Sequence, residues 1–163
     1  MNTIALVLRA LHDGERRLAG ELAVVAERHS AEHEVRHVAK ELVAWSNEHC
    51  VRLAAAAGHY GLDLDGPAHR PTAGPAPAHR EKPAGIPGRR PPPGLLLLED
   101  LRELHLGAAG NSLYWEMLAQ AARAAKDTRL LDLATSCHPR TLRQMRWTTT
   151  MVKNLSPQIL TSR

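Results

Sequence analysis

Phenylalanine is absent from this 163-residue chain, isoleucine is scarce, and three tryptophans and two tyrosines are its only aromatic residues. Strands are enriched in the β-branched and aromatic types, so the shortage argues against a sheet. Cysteine is short as well. Cys50 and Cys137 are too few for a disulfide framework, and each falls inside a helical pattern, which predicts two buried free thiols in a reducing compartment. No apolar run approaches the ~18 residues of a membrane-spanning helix. The longest run of leucine, Leu95 to Leu98, stops at Glu99-Asp100. The first residues lack the basic start, apolar run and small-residue cleavage site of a signal peptide. These absences predict a cytoplasmic protein with no membrane contact. A phosphate-binding glycine loop and a dinucleotide fingerprint are missing too, and neither cysteine sits in the sharp Gly-rich turn that presents a nucleophile.

A basic face is the next absence. The net charge is +4, yet residues 66–94 hold five of the Lys and Arg residues (Arg70, Arg80, Lys82, Arg89, Arg90) and one acid, Glu81. The rest of the chain carries 16 residues of each sign and is neutral. Nucleic-acid readers place their cations on a structured surface, so specific nucleic-acid binding is not expected.

Alanine and leucine dominate instead, and both favour helix. Four amphipathic segments follow, at about 3–29, 30–60, 95–126 and 128–155. In the first, Ile4, Val7, Leu8, Leu11, Leu18, Leu22 and Val25 fall in one arc at 100° per residue. Gly14 and Gly20 weaken it by roughly 1 kcal/mol each, so packing must hold it. Ser30 is placed to cap the second helix, and Gly58, Gly61 and Gly66-Pro67 end it. Residues 66–94 contain nine of the eleven prolines and five glycines. That composition predicts a flexible linker. Its Arg89–Pro93 run is either a ligand for a polyproline-recognising protein partner or part of a solvated tether.

The third helix has two apolar stripes. Leu97, Leu101, Leu104, Ala108, Trp115, Leu118 and Ala122 form one; Leu106, Leu113, Met117, Ala121 and Ala124 form the other, nearly opposite. A helix apolar on two faces is buried on two faces, which predicts a homo-oligomer through Leu106, Leu113 and Met117. The fourth helix sets Leu131, Ala134, Leu142, Met145 and Val152 on its inner arc, and Pro139 is expected to kink or break it. The whole reads as an all-α four-helix bundle: two antiparallel hairpins joined by a long Pro-rich crossover, in a single domain.

Each inner arc carries one polar residue: Glu15, His49, Asn111 and His138 in turn. A buried carboxylate needs a partner, and a turn near residue 30 sets Glu15 within reach of His49. This predicts a Glu15–His49 pair. Its use is either a polar layer that fixes helix register or a metal or proton site, with Glu15, Glu48, His49 and His138 as candidate ligands. No cofactor is expected in the first case, and iron, zinc or manganese in the second. His29, His33 and His37 are four apart, a spacing that holds zinc or nickel on a helix, but His33 and His37 face away from the apolar arc.

The layout resembles the ferritin-like superfamily, the rubrerythrin and bacterioferritin type of bundle. That family places a Glu on the first and third helices and Glu-x-x-His on the second and fourth. Glu15 matches the first-helix Glu. Glu48 follows it by 33 residues, but Val51 stands where the histidine belongs. Asp132 follows Glu99 by 33 residues, with Thr135 at the histidine position, and the fourth helix has no Glu. The resemblance therefore implies a ferritin-like fold without a complete di-iron centre, and not a ferroxidase, peroxidase or oxygenase. The function expected is a non-enzymatic interaction or assembly module; the alternative is a mononuclear metal-binding or stress protein using the inward Glu/His cluster.

Overall fold

A computed structural model describes residues 2–64 and 91–162. The described residues form four helices: α1 (Thr3–Arg28), α2 (His33–Gly58), α3 (Pro93–Ala125) and α4 (Thr128–Thr161). Among the described residues there is no strand, and no helix is long and apolar enough to cross a membrane.

The helix ends follow local chemistry. Asn2 caps α1, its side-chain oxygen accepting from the Ile4 N–H at 2.8 Å. Asp127 caps α4 by accepting from the Leu130 N–H at 3.1 Å and also accepts from the Tyr60 hydroxyl, which ties the end of α2 to the start of α4. Burial, and then Asp127, push the Tyr60 hydroxyl up to about 12. Pro93 opens α3 at a position where its missing N–H is not needed. Lys126 ends α3 in the left-handed region, at φ 55°. A side chain there is strained, so Lys126→Gly is expected to stabilise the fold by roughly 0.5–1 kcal/mol, read as a rise of a few degrees in Tm.

Three boundaries differ from the sequence reading. Ser30 does not cap α2; residues 30–31 lie in a turn and the helix starts at His33 behind Glu32. The fourth helix continues past 155 to Thr161, without a break at Pro139 or at Pro157. Buried residues flank Pro139 on both sides, Cys137 and Thr141 among them, and that packing outweighs one lost hydrogen bond. Beyond Pro157, Ile159 packs so closely on Gly94 that a Cβ there would stand 3.0 Å from it, so the start of α3 holds the last turn of α4. The flexible linker expected at 66–94 lies, up to residue 90, outside the described residues, as do Arg89 and Arg90 of the Arg89–Pro93 run, while Pro93 and Gly94 belong to α3.

Helix α1 packs against α2 and α3, and α4 packs against the same two, so α1 and α4 lie diagonally opposite. The α1–α3 seam is largely apolar, with Leu18, Leu22, Leu101 and Leu104 in one cluster. Arg28 and His29 close it at one end by meeting Asp100 at 2.9 and 2.7 Å. The α2–α4 seam is the thinnest and is built from polar contacts. Arg52 donates to Ser136 at 2.8 Å. Arg140 pairs with Glu48 and lies over the Trp45 ring. Gln144 donates to Ser46 at 3.0 Å and to the Leu42 carbonyl at 3.3 Å.

The core has two main apolar layers. One contains Leu18, Leu22, Leu42, Leu104 and Met151; the other contains Leu8, Leu11, Leu53, Trp115 and Leu130. Between them every helix contributes buried polar groups: Glu15 from α1, Ser46 and His49 from α2, Asn111 from α3, Thr141 and Gln144 from α4; Thr148 is buried within the first layer. The inner arc expected for α4 is therefore corrected by about one residue. The buried positions are Leu130, Leu133, Ala134, Cys137, Thr141, Gln144, Thr148 and Met151, while Leu142 is 46% exposed. An arc chosen for apolarity misses a face on which Gln144 and Thr148 are buried with hydrogen-bond partners.

Candidate functional site

Glu15 and His49 are both fully buried, and the pair that the register predicts is present: His49 Nδ1 lies 3.3 Å from Glu15 Oε1. The same carboxylate oxygen accepts from Trp115 Nε1 at 3.3 Å. The His49 and Trp115 rings meet edge to face, with centroids 5.6 Å apart. Trp115 enters here because its stripe on α3 faces Glu15 across the α1–α3 seam. Cys137 reaches His49 from α4. Burial works against a charge on His49, but the neighbouring Cys137 and the Glu15 carboxylate together outweigh it and hold its pKa up at about 9. The cluster thus favours the protonated imidazole at a position closed to solvent.

The other candidate ligands lie elsewhere. Glu48 is exposed, and the Arg140 guanidinium holds its carboxyl below the usual range. His138 sits beside the inner face of α4, with Nε2 2.8 Å from the Ser112 hydroxyl and Nδ1 3.8 Å from Glu116. Glu15 and His49 are brought together; Glu48 and His138 are not brought to them. Among the described residues no three His, Cys, Asp or Glu side chains are grouped to hold a metal ion. His33 and His37 face outward, and His29 is buried against Asp100.

Of the two thiols expected to be free and buried, Cys137 is both and Cys50 is free but only half-buried; the place of Cys137 beside His49 was not expected. A signal was available. Leu130, Ala134, Cys137, Thr141, Gln144, Thr148 and Met151 alternate by three and four residues, the spacing of a helix seam. Asn111 was placed inward correctly; its need for Gly14 was not seen. A Cβ on Gly14 would stand 2.2 Å from Asn111 Oδ1, so the missing side chain makes room for the amide between α1 and α3.

The outer face of α3 is the second candidate. Leu106, Leu113 and Met117 are 50, 64 and 52% exposed, while Leu104, Ala108, Trp115 and Leu118 of the same helix are buried. Two faces of one chain thus offer chemistry: a sealed charged cluster and an open apolar stripe. Set against family models, curated proteins and solved structures, the chain matches none.

Proposed function

We propose that this protein is a non-enzymatic helical bundle that acts as an interaction or assembly module, with the outer face of α3 as its binding surface. Its layout is that of a ferritin-like bundle, two antiparallel hairpins joined by a long crossover, without a complete di-iron centre. The packing of α1 on α2 and α3, and of α4 on the same two, supports that arrangement. So do the contacts between α1 and α3, where Arg28 meets Asp100 and Gly14 meets Asn111, so that numbers fall along one helix as they rise along the other. Glu15, His49 and Trp115 then serve as the charged layer that fixes how the helices align.

The observation that carries the reading is the stripe of Leu106, Leu113 and Met117. Large apolar side chains aligned on one face and left half or more exposed mark an interaction surface. Photo-crosslinking in the producing cells tests it. A photoreactive residue at 113 or 117 is expected to give a discrete crosslinked product, and one at Arg143, exposed on α4, to give none. Equal labelling at 143, or no product at 113 and 117, overturns the reading.

A further inference from the structure

The stripe has a spacing that its composition alone does not reveal. Leu106, Gly110, Leu113 and Met117 are separated by four, three and four residues, so the pattern reads the same in both directions along α3. Gly110 is exposed, and nothing lies within 4 Å of the place where its Cβ would be. It forms a notch on the line of the three large side chains. We infer that the occupant of this face is a second copy of the chain, with α3 packed antiparallel on α3 about a two-fold axis between Asn111 and Ser112.

A two-fold interface must be self-complementary, because each patch meets its own copy. In this register Leu113 of one protomer stands over Gly110 of its partner, twice by symmetry, and Leu106 stands over Met117. The notch receives the knob that needs it. Charge agrees with shape. Glu103 falls level with Gln120 of the partner and Arg102 with Ala121, so no two like charges are set opposite each other. A parallel pairing would stack Leu113 on Leu113, leave both notches empty and place Glu103 beside Glu103 and Arg102 beside Arg102. Three half-exposed side chains and the surrounding turn are a small patch beside the ~800 Å² per partner of a standard interface, so the dimer is one that dissociates on dilution. This inference rests on reading the outer face of α3 as a binding surface and adds which partner binds there and how.

Sedimentation velocity of the full purified chain, from low micromolar to submillimolar concentration, tests it. A monomer–dimer equilibrium is expected for the wild type. Leu113→Arg is expected to weaken it at least about tenfold, by forcing a charge into the contact. Gly110→Leu is expected to weaken it as strongly by filling the notch. A Cβ at Gly110 meets nothing in the monomer and leucine improves helix propensity, so an unchanged Tm for this variant separates loss of the contact from loss of the fold. Val51→Arg, on the exposed side of α2, should leave the dimer unchanged. A wild type that stays monomeric, or a dimer that survives Leu113→Arg or Gly110→Leu, overturns the inference. If the purified chain is monomeric while position 113 still crosslinks another protein in cells, the second copy is the wrong occupant and the binding surface stands. If neither occurs, both fall.

Discussion

Glu15→Ala is expected to remove about 3–5 kcal/mol of folding stability, because it leaves His49 charged and buried without its carboxylate and takes the acceptor from Trp115. Native domains are stable by only about 5–15 kcal/mol, so the variant will lie near the edge of unfolding. Urea denaturation followed by tryptophan fluorescence reads the loss directly. Glu15→Met combined with His49→Leu should recover most of it, since removing both partners of a buried pair in favour of apolar groups is close to neutral. A Glu15→Ala protein as stable as the wild type would mean that the carboxylate is not what supports the histidine.

The same pair sets a pH dependence. His49 has a folded pKa of about 9, against ~6.5 for an unfolded histidine. Its folded form binds the proton more tightly, so its contribution is fully present below the unfolded value and disappears as pH rises through the folded one. The amount is on the order of 3 kcal/mol. Wild-type stability is therefore expected to fall between neutral pH and pH above 9, with a much shallower slope in Glu15→Gln, which lacks the charge that favours the imidazolium. Parallel slopes in the two proteins would show that the fall comes from other groups.

Gly14→Ala is expected to destabilise by about 2 kcal/mol, although alanine is the better helix former by roughly 1 kcal/mol. The new methyl group meets Asn111 Oδ1 at 2.2 Å. Asn111 is buried, and its amide must give up its place against Gly14 between α1 and α3. Pairing Gly14→Ala with Asn111→Ala removes the clash, and the double variant should be more stable than Gly14→Ala alone. Thermal unfolding of the three proteins as a double-mutant cycle checks this; additive effects would show that the two positions do not meet.

What the sequence made legible, and what it hid, divide along one line. Most of the inner face of α3 was readable because Leu97, Leu101, Leu104, Trp115 and Leu118 are large and apolar and recur at helical spacing, while Leu98 and Ala119, buried at its edges, were not part of that stripe. Glu15 and His49 were readable because a charged residue inside an apolar arc demands a partner. The inner face of α4 was not, since Gln144 and Thr148 look like surface residues until their acceptors on α2 and on the preceding turn are known, and Thr141 is polar as well. Gly14 was read only as a cost to its helix, because the reason for a missing side chain lies on another element. The run of α4 through Pro139 and Pro157 depends on tertiary packing that outweighs a local penalty.

The uneven seams give the bundle a spine and a fore-edge, like a book. The spine is the apolar contact of α1 with α3. The fore-edge is the line along which Arg52, Arg140 and Gln144 join α4 to α2. Salt screens the exposed ion pair there and leaves the leucines of the spine untouched. Breathing of the molecule is thus directed: the two covers part first between α2 and α4, on the flank away from the outer face of α3, and they do so without disturbing the surface that a partner would grip.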